Sequence, residues 1–225
     1  MKSIVIIPAF NEEIAIESVI LKSSLYVDDV LVIDDGSNDN TSKIAKSSGA
    51  RVITHTKNLG KGFALKDGFN FAKDYDLVVT IDGDGQHNPD EIPILIDPIL
   101  NDGADFVNGS RYLNGFEENT PTYRRIGQKV LDIATNISAG IKVTDSQSGF
   151  RAFSKKAISV FRFNDAGFGI ESEMLADAAD NNLKIVEVPI TVRYNVDGST
   201  KDPVTHGVGV LLKIIKDKII RTFKK

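Results

Sequence analysis

Apolar residues in the first half of the chain fall in short blocks separated by polar, periodic stretches. Ile4–Pro8, Val30–Ile33, Arg51–Thr54, Leu77–Ile81 and Ala104–Asn108 are runs of strand length, rich in Val and Ile. Near-continuous hydrophobicity over four or five residues predicts strands buried on both faces. Helical spacing falls between them. Asn11 is placed to cap a helix with Glu12 and Glu13 in its first turn and Ile14, Ala15, Val19 and Leu25 recurring along it. Further helices are predicted over Asp39–Ser48 and Gly62–Lys73, and from Asn88-Pro89-Asp90-Glu91, a cap followed by Pro and acids, to about Asn101. Repeated strand–helix–strand units predict an α/β fold, with a mostly parallel central sheet and helices on both faces.

The second half is less regular. Residues 110–124 read as a polar loop, Tyr123–Ala139 as an amphipathic helix, 171–181 as a helix, and 184–188 and 190–194 as strands. Asn195–Pro203 reads as a flexible segment and Thr205–Lys225 as a terminal helix. The expected organisation is one domain over 1–204 and a C-terminal basic amphipathic helix over 205–225.

Charge sharpens the picture of that tail. The net charge is −4, yet Lys213, Lys216, Lys218, Arg221, Lys224 and Lys225 stand against the single acid Asp217. Val208, Leu211, Leu212, Ile215, Ile219, Ile220 and Phe223 recur among them at helical spacing. A basic amphipathic helix on an acidic body suits an anionic membrane interface, or packs on the core with a solvated basic edge. Nucleic acid is disfavoured by the acidic body. The absence of Cys excludes disulfides and thiolate metal sites. The short run at Ile4–Pro8 is no signal peptide, and no segment reaches the ~18 apolar residues of a membrane span.

Ligands of open parallel sheets bind beyond the carboxyl ends of the strands. Here those ends read Pro8-Ala9-Phe10-Asn11-Glu12, Asp34-Asp35-Gly36-Ser37, Asp82-Gly83-Asp84-Gly85-Gln86 and Gly109-Ser110-Arg111. Singly, Asp-Gly pairs mark turns, Asn58-Leu59-Gly60-Lys61-Gly62 is a helix start, and Glu12 and Glu13 complement a helix dipole. Three strand ends bearing acids together indicate a hard cation, Mg²⁺ or Mn²⁺, which suits a diphosphate.

These segments resemble the family-2 glycosyltransferases of the GT-A fold: Ile7-Pro8-Ala9-Phe10-Asn11-Glu12-Glu13, Val32-Ile33-Asp34-Asp35-Gly36-Ser37, Asn58–Gly62 and Asp82–His87. Gly109-Ser110-Arg111-Tyr112 and Asp145-Ser146-Gln147-Ser148-Gly149-Phe150-Arg151 are similar to segments of the dolichol-phosphate mannose and glucose synthases. The resemblance covers roughly residues 3–195. It implies that Pro8, Phe10, Glu12, Ile33, Asp34 and Asp35 surround the base and ribose, with Phe10 where a Tyr is common. Lys61, Asp82 and Gly83 then lie along the nucleotide-sugar. Asp84 becomes the main metal ligand, with Asp82 and Gln86, and transfer proceeds by inverting displacement.

A sugar hydroxyl acceptor needs a general base, whereas a phosphate monoester, with a second pKa of about 6, is already anionic. A polyprenyl (dolichyl) phosphate therefore needs cations. Arg111, Arg124, Arg125, Arg151, Arg193 and Lys201 are candidates. The resemblance favours Arg111 and Arg125, both also as catalytic residues beside Asp84, and Arg193. Lys201 follows a loop longer than the family's Gly-x-Ser-Lys pattern. Glu171-Ser172-Glu173 lies where hydroxyl-using relatives keep a catalytic acid. The expected protein moves a hexose from a GDP- or UDP-sugar to a polyprenyl phosphate, a step serving protein glycosylation, as a cytoplasmic, peripheral enzyme at the membrane face. Transfer to a glycan or protein hydroxyl, a phosphoacceptor signalling domain and an inactive nucleotide-binding module are the alternatives.

Overall fold

The computed structural model describes residues 1–113, 122–164, 167, 169–193, 209–216 and 218–219. In chain order the elements are β1 (Ser3–Ala9), α1 (Ile16–Ser23), β2 (Asp29–Asp34), α2 (Thr41–Ser47), β3 (Arg51–Thr54), α3 (Lys61–Phe71), β4 (Leu77–Thr80), α4 (Ile92–Asn101), β5 (Phe106–Ser110), α5 (Thr122–Ala139), β6 (Arg151–Ser154), α6 (Lys155–Ile158), α7 (Ile170–Asp180) and β7 (Ile185–Pro189). They build a seven-stranded sheet of order β3-β2-β1-β4-β6-β5-β7. Only β6 is antiparallel to its neighbours.

Alternation along the strands divides the core in two. Ile4, Ile6, Leu31, Ile33 and Val78 face α3 and α7, meeting Leu65, Phe69, Ile170 and Met174. Val5, Ile7, Val30, Val32 and Val79 face α1, α2 and α4, meeting Ile16, Val19, Ala45, Ile92 and Leu95. Helix α3 packs so closely on β1 that a methyl at Gly68 would lie 2.5 Å from Ile6 Cγ2. The expected α/β architecture, with helices on both faces of a mostly parallel sheet, is the one found.

Several local expectations are corrected. Asn11 caps no helix. Its φ is +58°, its Oδ1 accepts from Asn38 N, and α1 begins only at Ile16. Glu13 likewise accepts from Asn40 N and Nδ2. These side chains serve the loop after β2, so Ile14 and Leu25 project into solvent. The segment ending in Arg151 continues into a strand, β6, which inserts between β4 and β5. No strand forms over the described part of 190–194; Val192 makes one bridge with His87.

The boundary proposed near 204 lies outside the described residues. Residues 209–216 are helical, and Val210 and Ile214 are buried against Leu131 of α5. This part of the tail therefore docks on the body through one face. Among the described residues no helix is long and apolar enough to cross a membrane.

Candidate active site

Strand β1 pairs with β2 on one side and β4 on the other, so chain connections diverge there and leave a crevice at the carboxyl ends of β1 and β4. Glu12 stands beyond β1, and Asp82 and Asp84 beyond β4. The turn carrying Asp82 is held from behind. Thr80 Oγ1 donates to Gly149 O at 2.9 Å, and the Asp82 carboxylate rests on the Gly149 backbone, where a methyl group would overlap both its oxygens.

Lys61, the first residue of α3, points into this crevice. Its Nζ lies 2.6 Å from Asp82 Oδ1 and 2.8 Å from Glu171 Oε1. Burial works against the Lys61 charge, but the two carboxylates outweigh it and hold its pKa above the ordinary value. Burial similarly acts to raise Asp82, and the Lys61 ammonium reverses this to leave it below the usual range. Glu171, in the first turn of α7, is 3% exposed, and its Oε2 has no hydrogen-bond partner among the described residues.

In the other two acids burial and repulsion prevail. Asp84 is pushed up to about 6, first by burial and then by the charge of Asp82; its Oδ1 accepts from Gln86 N at 3.0 Å. Glu12 is pushed up to about 8 by burial and by Asp84 and Asp82. Among the described residues no three acids or histidines converge tightly enough to hold a metal by themselves. A divalent cation of the Mg²⁺ type, however, commonly takes one or two carboxylates and fills its sphere with substrate phosphates and water. Hard oxygen donors short of positive charge fit that role.

His87 does not join them. It is buried against Phe150, its pKa is lowered to about 4 by burial, and its neutral ring stands 3.9 Å from Asp82.

The acids after β2 do different work. Asp34 Oδ1 accepts from Ser37 N. Asp35 is buried; its oxygens accept from Leu59 N at 2.9 Å and Gly60 N at 2.8 Å, and His55 Nδ1 lies 2.7 Å away. These bonds set the loop that delivers Lys61. Gly36, at φ +75°, lets the Asp35 turn press on the Lys57 backbone, 2.5 Å from the position a methyl would take. Ile33 lies wholly in the core, so its side chain meets protein rather than ligand. Phe10 and Pro8 are accessible, while Gly83 is buried against Ala9 and the Pro8 carbonyl.

The predicted cations divide as well. Arg111 forks onto Asp145, with Nε to Oδ2 at 2.6 Å and Nη2 to Oδ1 at 2.7 Å, and its charge reaches Asp82 and His87. Arg151 faces no cleft, contrary to expectation: it is 1% exposed. It donates to Asn108 Oδ1, Glu171 O and Ser146 O, each at 2.9 Å, and burial pushes its pKa down to about 10. Arg125 is exposed on α5. Arg193 is exposed; its N–H donates to Gln86 O, and its charge acts on Asp90 and Glu91. Lys201 lies outside the described residues.

Sequence reasoning gave no role to Asp145 or Gly149, although both stand in a quoted motif, and did not pair Lys61 with Glu171, 110 residues away. Glu173 accepts from Asn164 N and Nδ2 at 2.9 Å, so it ties down the chain before α7.

Comparison with known proteins gives a consistent set. The family model described as "Glycosyl transferase family 2" matches residues 4–161. A protein named UDP-N-acetylglucosamine–dolichyl-phosphate N-acetylglucosaminyltransferase, from Methanococcus voltae, is 38% identical over 231 residues, covering 92% of this chain and 90% of that one. Dolichol-phosphate mannosyltransferase of Pyrococcus furiosus is 34% identical over 212 residues, covering 89% of this chain and 59% of its own length. Among solved structures, glucosyl-3-phosphoglycerate synthase from Mycobacterium tuberculosis, in complex with Mn²⁺, UDP and glucosyl-3-phosphoglycerate, superposes with a TM-score of 0.74 at 29% identity. That match covers 95% of this chain and 77% of the other.

Proposed function

The chain belongs to glycosyl transferase family 2 and is a glycosyltransferase, and from that premise we propose that it moves a hexose from a UDP- or GDP-sugar to a polyprenyl phosphate, with inversion and with Mg²⁺ or Mn²⁺. The observation that carries this reading is the set of acids at the β1/β4 crevice, Glu12, Asp82 and Asp84, of which, among the described residues, Asp82 alone forms an ion pair with a lysine. The metal and the diphosphate supply charge of opposite sign to one another. Relatives named as dolichyl- and dolichol-phosphate sugar transferases support the lipid acceptor.

The roles then follow from position. Asp84, with Asp82 and Gln86, would hold the ion, which neutralises the diphosphate as it departs. Glu12, Phe10 and Pro8 line the donor side, while Asp34 and Asp35 shape it through the loops they tether. Lys61 adds positive charge beside Asp82, where the diphosphate lies. An anionic oxygen of the acceptor phosphate attacks the anomeric carbon; the bond to the diphosphate oxygen breaks and its electron pair leaves with the nucleotide. No base is required, since the acceptor is already ionised. Arg111, oriented by Asp145, holds that phosphate, and Arg125, Arg193 and Lys201 complete its charge balance. The enzyme works at the cytoplasmic membrane face.

Labelled UDP- and GDP-sugars incubated with the protein, Mn²⁺ and dolichyl phosphate should yield a lipid-linked sugar. No such product with any common sugar overturns the proposal. One observation favours a second reading, transfer to a hydroxyl: among the described residues Glu171 Oε2 is buried without a hydrogen-bond partner, as a base held ready would be. That reading requires Glu171→Gln to abolish transfer while Arg111→Ala does not.

A further inference from the structure

The mechanism above makes no use of His55, although its side chain is only 7% exposed. The ring stands between two carboxylates. Nδ1 lies 2.7 Å from Asp35 Oδ1, and Nε2 lies 3.1 Å from Asp67 Oδ2. An ionised carboxylate only accepts, so both contacts are complete when each ring nitrogen carries a hydrogen. The backbone aims the ring: His55 N donates to Asp34 O at 2.9 Å, one residue past the end of the β2–β3 pairing. A ring that merely filled space would not need an acceptor at each nitrogen.

The segment that follows, 56–60, leads into α3 and has little to hold it. Among the described residues none of its N–H groups reaches a backbone carbonyl, and those of Leu59 and Gly60 donate to Asp35 instead. Helix α3 has no side-chain cap, and Gly60 before it has φ +100°. Asp35 therefore fixes the entry to α3 from the end of β2, at the helix terminus where the dipole favours negative charge. Its Oδ1 is shared by Leu59 N–H and the His55 ring. Asp67 holds that ring from the other side. Asp67 also belongs to α3, about 9 Å along the axis from Lys61, and its neighbour Gly68 is pressed against Ile6. The contacts thus close a circuit: Asp67 to His55, His55 to Asp35, Asp35 to Leu59 and Gly60, and α3 back to Asp67. Lys61 sits at the junction, with Nζ 2.6 Å from Asp82 and 2.8 Å from Glu171.

We propose that His55 and Asp67 are positioning residues for the donor diphosphate, a clamp that orients Asp35 and through it sets Lys61 in the crevice. The clamp rests on the reading of that crevice as a nucleotide-sugar site. Neither residue touches the donor. Each acts through the Asp35 carboxylate and the start of α3, so its effect passes through the Lys61 ammonium.

Two replacements of the ring separate its two nitrogens. The amide nitrogen of asparagine falls near the place of Nδ1, and that of glutamine near the place of Nε2. His55→Asn therefore keeps a donor for Asp35, whereas His55→Gln keeps one for Asp67 and leaves Asp35 Oδ1 short. Calorimetric titration of the full chain with UDP and with GDP, at saturating Mn²⁺, reads the difference. His55→Gln should weaken nucleotide binding about tenfold or more, and His55→Asn by no more than about threefold. Asp67→Ala, at a position whose side chain is 47% exposed, should weaken binding about threefold. Asp67→Asn should restore it, because its amide can donate to a bare Nε2 while Nδ1–H still serves Asp35. In a Lys61→Met background His55→Gln should cost less than about twofold more, since residues that act through one another are not additive. Equal losses in the two His55 variants overturn the clamp, as does unchanged binding by His55→Gln, an undiminished loss in the Lys61→Met background, or an Asp67→Asn no better than Asp67→Ala. A wild-type protein that binds neither nucleotide removes the donor reading itself, and the clamp with it. Clamp-dependent nucleotide binding without any lipid-linked product supports the clamp and removes only the acceptor assignment.

Discussion

Lys61 offers the sharpest test of the site. Its ammonium bridges Asp82 and Glu171 at 2.6 and 2.8 Å, and Glu171 is almost wholly buried. Lys61→Met keeps most of the volume and removes the charge, leaving two carboxylates without their cation. Deleting one partner of a buried ion pair costs about 3–5 kcal/mol. For a chain of this size a kcal/mol corresponds to about 2–4 °C, so the melting temperature at neutral pH should fall by about 6–20 °C. The loss should shrink toward acidic pH, where the stranded carboxylates take up protons. Mn²⁺ should then stabilise the variant more than the parent, since Lys61 no longer competes for Asp82. Melting curves of both proteins with and without Mn²⁺, in the absence of nucleotide, make the comparison. A variant that melts with the parent at neutral pH, or gains less from Mn²⁺, refutes the reasoning.

The other expectations concern neighbouring groups. Glu12 and Asp84, raised to about 8 and about 6, keep protons in the folded state that the unfolded chain releases above its ordinary carboxyl range near 4.5. Their contribution to stability is therefore full below that range and declines as pH rises toward 8. Glu12→Gln should flatten this decline, and Mn²⁺ with UDP should release protons in the same window, measured by calorimetry in buffers of different ionisation heat; binding without proton release contradicts the assignment. Gly149→Ala should displace Asp82 and lower transfer at least tenfold; full activity would show that Asp82 need not rest where it does. Arg151→Met should orphan Asn108 Oδ1 and two carbonyls, costing at least about 3 kcal/mol in urea unfolding, and Arg151→Lys should not restore it, because one ammonium cannot span three acceptors in a plane.

The parts of the fold that were legible in the sequence are those governed by burial on both sides. Ile4–Ile7, Leu31–Ile33 and Val78–Val79 announce buried strands because each residue must be apolar whichever face it takes. Features that depend on distant partners were not legible. Arg151-Ala152-Phe153-Ser154 is too short to signal a strand, and it becomes one by pairing with residues 77–80 and 106–108. Asn11 has the composition of a cap, but Asn38 N, 27 residues away, captures its oxygen.

The acids show the same limit, and the structure resolves it by a single physical criterion. Asp34, Asp35, Asp82, Asp84 and Glu12 are equivalent as letters at strand ends. Asp35 receives two backbone N–H groups, and Asp145, elsewhere in the chain, receives the Arg111 fork together with its N–H. Such carboxylates are already solvated by protein and gain little from a further cation. At Asp84 burial and the repulsion of Asp82 outweigh the backbone N–H groups it accepts from and the charge of Lys61, while Glu12 feels both acids beyond β4. Charge left uncompensated in a crevice is unfavourable unless a ligand completes it. The donors each acid lacks, rather than the acids themselves, are therefore what the proposed metal and diphosphate would supply. On the proposed reading the reactive centre would lie at Asp84 and Glu12, with Asp35 and Asp145 as the anchors that set Lys61 and Arg111 beside it.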